Sequence, residues 1–140
     1  MFLLDTNVIS ELRKAKAGKA DHNVVSWESH IPAASLFLSV IVLQELEIGV
    51  LRAERRDTTK GAILRAWLHN QVIPEFAHRT LPVDMEVALG SAALHVPDQA
   101  PVRDALIAAT GLVHGMTIVT RNISDFAPAR VALINPWNGP

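Results

Sequence analysis

The chain has 140 residues, 49% of them hydrophobic and 19% charged, and it carries no cysteine. This length fits one domain able to bury a core, the composition excludes a disordered chain, and the lack of thiols excludes a disulfide framework, a thiolate metal site and a cysteine nucleophile. With 13 basic against 14 acidic residues the formal charge is −1, which excludes a strongly cationic nucleic-acid coat but allows an acidic site with basic groups elsewhere. No apolar run approaches the ~18 residues a membrane span needs. Asp5 interrupts the first apolar run after Leu4, so no signal peptide is expected there.

Phe2-Leu3-Leu4 is a continuous apolar run, the pattern of a strand covered on both faces of a parallel sheet. Asp5, Thr6 and Asn7 offer helix caps, and Val8, Ile9 and Leu12 follow at helical spacing. Residues 13–20 hold Arg13, Lys14, Lys16, Gly18 and Lys19 and read as a solvated loop. A second helix is predicted from the Asp21 cap to a point before Pro32. Leu36-Phe37-Leu38 is the second predicted strand, followed by helices over residues 41–55 and 58–77. Residues 80–83 make a poor strand, because Pro82 has no N–H to give a ladder. Asp84 should cap a helix over residues 85–95. Pro97 and Pro101 bracket a break, with Pro101 placed for the first turn of the next helix and Gly115 for its left-handed stop. Thr117-Ile118-Val119-Thr120 and Val131-Ala132-Leu133-Ile134 complete the strands. Strands separated by helices imply right-handed crossovers and an α/β fold: a three-layer α/β/α sandwich around a mostly parallel sheet of about five short strands.

Ligands of open α/β sheets bind outside the carboxyl ends of the strands. Asp5 ends the first strand, Asp125 follows the strand at Thr117–Thr120, and Asp104 sits in the first turn of the helix before that strand. Ala105, Ala108 and Ala109 are small enough to let that helix approach the sheet closely. Glu45 lies one turn into the helix after the second strand, amid Ile41, Ile48 and Gly49. A single acid at a strand end is usually a cap. Four near one sheet edge repel one another and call for a hard cation, and oxygen donors without thiolates favour magnesium or manganese. Glu47 is two residues from Glu45 and cannot share its face. Apolar neighbours flank both, so periodicity does not choose between them. The histidines (His22, His30, His69, His78, His95 and His114) have no metal-ligand spacing. Asp84 reads as a helix cap.

These segments resemble the PIN-domain ribonucleases, in particular the VapC and FitB-like toxins of bacterial toxin–antitoxin pairs. Leu3-Leu4-Asp5-Thr6-Asn7 is similar to that family's first strand and first acid. The stretch from Ser39 to Gly49 is similar to its second-acid segment, Asp104 to Thr110 to its third, and Thr120 to Phe126 to its fourth; Leu133-Ile134-Asn135-Pro136-Trp137 resembles the closing strand. Gly111 departs from the pattern, standing where a helix former is usual. The resemblance selects Glu45 over Glu47 and implies a single PIN domain over residues 1–140. It implies an Mg2+- or Mn2+-dependent endoribonuclease with Asp5, Glu45, Asp104 and Asp125 catalytic. Asp5, Asp104 and Asp125 would hold a cation that activates a water and offsets charge on the phosphate. Thr6, Asn7, Thr120 and Asn122 would position substrate or metal-bound water.

Two basic patches remain: Arg13, Lys14, Lys16 and Lys19, and Arg52, Arg55, Arg56 and Lys60. Charge runs ordinarily form solvated faces. Beside a nuclease site, Arg13, Lys14, Lys16 and Arg121 are candidates for RNA backbone contacts, which fix register without reading sequence. Apolar side chains beyond what one sheet face needs, Ile63, Leu64, Trp67 and Leu68 with Ile48, Val50 and Leu51, read as core first and as a partner contact second. The resemblance further implies a cytoplasmic protein, a cognate antitoxin, a homodimer, and a heterotetramer or larger assembly with the antitoxin. Two other readings are a catalytically silent PIN-like module that binds RNA or protein, and a phospho-receiver domain. The second wants a lysine near the last strands, and none follows Lys60. The first usually loses acids, and here all four stand.

Overall fold

A computed structural model describes residues 1–140. Five short strands, β1 (Phe2–Leu4), β2 (Leu36–Ser39), β3 (Thr80–Leu81), β4 (Thr117–Val119) and β5 (Leu133–Ile134), form one sheet in the order β3-β2-β1-β4-β5. Every neighbouring pair is parallel. In the central strands, residues pointing to opposite faces are alike buried: Leu3 with Leu4, Leu38 with Ser39, Ile118 with Val119. Both faces are therefore covered, the condition under which an all-parallel sheet is found.

The helices are α1 (Thr6–Leu12), α2 (His22–Ser29), α3 (Val40–Arg56), α4 (Thr58–Trp67), α5 (Ile73–Glu75), α6 (Met85–Ala93), α7 (Val102–His114) and α8 (Ile123–Phe126). Two starts follow caps read from the sequence: Asp21 accepts from the Asn23 and Val24 N–H groups at 2.9 and 3.2 Å, and Asp84 from Val87 at 2.9 Å. Ser39, which the sequence did not mark as a cap, accepts from Ile41 at 3.0 Å and opens α3. Gly115 stops α7 at φ 64°, in the left-handed region that glycine enters without strain.

Several boundaries differ from expectation. The helix predicted over residues 58–77 is helical but not uniform. After Trp67 it widens into a π turn, Leu68–Val72, where the Ile73 N–H reaches the Leu68 carbonyl. Pro74 follows at once; its ring crowds the preceding turn and it has no N–H to give, and the wider turn accommodates both. Pro101 stands outside α7 with an extended backbone, so the helix starts at Val102. The third and fifth strands shrink to two residues each, the third stopping at Pro82. Residues 13–20 contain a 3₁₀ turn, Ala15–Ala17, closed by Gly18.

Gly111 has a packing reason. A Cβ there would stand 3.1 Å from Ile118 and 3.2 Å from Val131, so the glycine lets α7 lie close on β4. Gly61 is tighter still. It sits where α4 crosses α3, and a Cβ would fall on the Glu54 backbone, 2.7 Å from its nitrogen. Backbone cannot yield as a side chain can. Gly61→Ala is expected to lower stability by ~2 kcal/mol or more despite alanine's better helix propensity. Urea unfolding checks this, and an unchanged midpoint would show that the helix pair can separate freely. Leu51 on α3 and Ile63 on α4 remain exposed, while Val50 and Leu68 are buried. No helix is long and apolar enough to cross a membrane.

Candidate active site

The strand order reverses direction at β1. The chain runs from β1 outward to β2 and β3, then returns to the other side of β1 for β4 and β5. The crevice at such a reversal, outside the carboxyl ends of the strands, is where open α/β sheets bind ligands. Asp5 ends β1 and Thr120 ends β4, so both stand in this crevice by topology. A cleft of about 510 Å³ opens there, and Asp5, Glu45 and Asp104 all line it.

Each acid reaches the cleft by a different route. Asp5 is buried and its backbone N–H continues the ladder to the Val119 carbonyl at 2.9 Å. Its Oδ1 accepts from the Thr6 N–H at 2.8 Å. Its Oδ2 accepts from the Thr120 hydroxyl at 2.8 Å and the Asn7 amide at 3.3 Å. Glu45 projects from α3; its Oε1 accepts from the Thr6 hydroxyl at 2.6 Å, and its Oε2 pairs with Arg103 Nε at 3.1 Å. Asp104 stands in the first turn of α7, whose cap position is held by Pro101, not by an acid. Ala105, Ala108 and Ala109 are buried beneath it, as their size allows.

The acids disturb one another. Burial raises the Asp5 carboxyl above its ordinary range, against the hydrogen bonds from Thr120 and Thr6, and the charges of Glu45 and Asp125 raise it further. Asp104 is pushed up to about 6, first by burial and then by Asp5, Asp125 and Glu45, with Arg103 pulling the other way. The helix N-terminus beneath Asp104 favours its anion, so burial and like charge outweigh the dipole here. A hard divalent cation relieves this repulsion and suits donors that are all oxygen. The donor set thus fits magnesium or manganese in chemistry and in charge. No three acidic or histidine side chains stand close enough to grip one ion as placed, and both Glu45 oxygens are engaged, by Thr6 and Arg103.

The other expected residues divide. Glu47 turns away from the cleft and pairs with Arg65 of α4 at 2.6 Å, which holds its carboxyl below the ordinary range. Thr6, Asn7 and Thr120 touch the acids directly. Asn122 lines the cleft and its backbone N–H donates to Thr120 Oγ1 at 3.0 Å. Asp125 is exposed and sits on α8. It borders a neighbouring hollow shared with Asp104, beyond the cleft that holds Asp5 and Glu45. Lys14 and Arg121 line the cleft, but Arg13 and Lys16 do not. Those two border a separate apolar hollow, and the Arg13 guanidinium lies 5.8 Å from the Trp67 ring centroid. Adjacent residues on a helical turn point ~100° apart, and Lys14 is further tied to Glu11 at 3.1 Å. Arg103, Arg52 and Trp137 also line the cleft. Sequence reasoning did not mark Arg103 or Trp137 as site residues, since neither belongs to a charge run or an acidic cluster.

The PIN domain family model matches residues 2–129. The chain belongs to the PIN-domain family. It is 36% identical to the VapC ribonuclease Y4jK of Sinorhizobium fredii over 98% of both chains. It is 36% identical to the toxin FitB of Neisseria gonorrhoeae over 99% of both. The crystal structure of FitAcB from Neisseria gonorrhoeae superposes with a TM-score of 0.86 at 35% identity, covering 98% of this chain and 99% of that one. A toxin–antitoxin complex from Klebsiella pneumoniae shares the fold at 22% identity and a TM-score of 0.66, covering 97% and 98%. The α/β sandwich expected from the sequence, with a mostly parallel sheet, is thus the PIN architecture, and its sheet is parallel throughout.

Proposed function

We propose that this PIN domain is a metal-dependent endoribonuclease, the toxin of a toxin–antitoxin pair, held inactive by a cognate antitoxin. One observation carries the reading. Asp5, Glu45 and Asp104 come from three distant segments to one cleft at the reversal point of a parallel sheet, and Asp5 and Asp104 are raised by burial and mutual charge. Such a gathering of carboxylates in one cleft is costly unless a cation is to bind there. High-coverage similarity to a VapC ribonuclease and to the toxin FitB supports the substrate class and the toxin role.

Asp5 and Asp104 would hold the cation, with Asp125 completing the negative field from the adjoining hollow. The bound cation supplies Lewis-acid charge against the phosphate and makes a water more acidic. The chain supplies the rest. Thr120 and Asn7 fix the Asp5 carboxylate in one rotamer. Thr6 does the same for Glu45, which is placed as acceptor for the proton of the attacking water. Hydrolysis joins the water oxygen to phosphorus and breaks one bridging P–O bond, and the departing strand takes a proton. Arg103 and Lys14 offset the acidity of the cleft towards a polyanion. A cognate antitoxin and a homodimer complete this reading.

The test is RNA cleavage by purified protein freed of any antitoxin. Cleavage is expected with magnesium or manganese and is expected to stop with excess chelator and return on adding metal. Undiminished cleavage in chelator would overturn the metal dependence, and no cleavage of any RNA would overturn the enzymatic reading.

A further inference from the structure

Trp137 and Arg121 both line the cleft and have no part in the chemistry described above. Trp137 is the one aromatic side chain lining it. Its backbone is pinned on both sides: its N–H donates to Asn135 Oδ1 at 3.0 Å, and its carbonyl accepts from Asn23 Nδ2 of α2 at 2.9 Å. The Arg121 guanidinium lies over the indole, 5.2 Å from the ring centroid. The Arg121 backbone N–H donates to Asn7 Oδ1 at 3.3 Å, which ties this arm to the same side chain that reaches Asp5.

The basic side chains of the cleft are not equivalent. Lys14 is paired with Glu11 and Arg103 with Glu45, each at 3.1 Å. Arg52 and Arg121 are exposed and make no ion pair, and of these two Arg121 alone lies over an aromatic ring. Its contact is an aromatic face, an attraction that holds a cation without neutralising it. A guanidinium kept in that way remains free to take a phosphate through two N–H groups. When it leaves, it uncovers an aromatic face fixed beside the acids, and an unpaired nucleobase stacks on such a face.

Resting on the endoribonuclease reading, we propose that Arg121 and Trp137 form the subsite for one unpaired nucleotide next to the cleaved bond. Its phosphate takes the guanidinium, and its base takes the place on the indole that the guanidinium vacates. A continuous A-form duplex keeps its bases stacked on one another and offers none to the ring.

The test uses the Glu45→Gln protein, so that RNA survives the measurement, and a labelled oligoribonucleotide offered alone or annealed to its complement. Adding Trp137→Leu is expected to weaken single-strand binding about tenfold and to leave duplex binding unchanged. Trp137→Phe should restore most of the affinity. Arg121→Gln should also weaken single-strand binding and reduce the slope of log affinity against log salt by about one contact. Melting curves control for folding, and if Trp137→Leu does not fold, the exposed Arg121→Gln carries the test alone. RNA cleaved by the wild type and bound by Glu45→Gln, yet indifferent to Trp137→Leu and Arg121→Gln, overturns this subsite while leaving the ribonuclease reading intact. An equal loss for single strand and duplex overturns it as well. No cleavage and no binding of any RNA overturns both.

Discussion

Glu45→Gln is expected to lower RNA cleavage by about a hundredfold or more, the range that a positioned proton acceptor contributes, while Glu47→Gln leaves it nearly intact. The two residues are neighbours in one helix and have the same chemistry, so the difference comes from direction alone. Glu45 faces the cleft, held by Thr6 at 2.6 Å and Arg103 at 3.1 Å. Glu47 faces α4 and pairs with Arg65, which also grips Glu54 at 2.8 Å. Gln keeps the volume of Glu in both cases. At position 45 it removes the proposed proton acceptor and leaves the Arg103 guanidinium without its partner. At position 47 it removes one partner of a half-exposed pair, worth about 0–1 kcal/mol, with Glu54 still in place. Single-turnover cleavage with saturating RNA checks the activity, and chemical denaturation checks the stability. The reverse pattern would show that the cleft is built on the other face of α3.

The sequence marked this helix but not its face. Apolar residues surround both glutamates, so the rule of helical spacing returned no preference. What decides is Arg65, which lies 18 residues beyond Glu47 and reaches it only because α3 and α4 fold back on each other. The strands were easier to read. Phe2-Leu3-Leu4 and Ile118-Val119 carry no polar residue on either face, and a strand covered on both sides leaves that mark. Two caps were legible because their bonds are local: Asp21 and Asp84 bond to N–H groups two or three residues away. Contacts across long sequence separations leave no local trace. Thr120 reaching Asp5, Thr6 reaching Glu45 and Asn23 reaching the Trp137 carbonyl link segments 115, 39 and 114 residues apart. Arg13 and Lys16 part from Lys14 for a related reason. A run of cations looks like one patch in sequence, but Lys14 lines the cleft while the other two border a separate apolar hollow.

Asp104→Asn separates charge from structure at the third acid. The carboxyl in the folded protein titrates at about 6, above the ~3.9 of an unfolded aspartate. Between those two values the folded state binds more protons than the unfolded state. Stability from this group is therefore full below about pH 4 and falls as pH rises through 6. Asn never ionises, so the variant escapes that loss. It should melt with the wild type near pH 4 and above it at pH 7.5, when no divalent cation is present. Loss of a cap does not complicate the comparison, because the cap position of α7 belongs to Pro101. Magnesium should reverse the order. A cation stabilises the state it binds in proportion to its affinity, and a neutral amide is a poorer ligand than a carboxylate. The wild type should gain more from added magnesium at pH 7.5 than the variant, and its gain should shrink towards pH 5.5 as protons compete for Asp104. RNA cleavage by the variant should fall by about a hundredfold or more, the range that a single charge-stabilising group supplies in other active sites. Thermal melts across pH and magnesium concentration read every part of this except the last. A variant that melts below the wild type at pH 7.5 without metal, and gains as much from magnesium, would make Asp104 a structural residue and move the cation elsewhere.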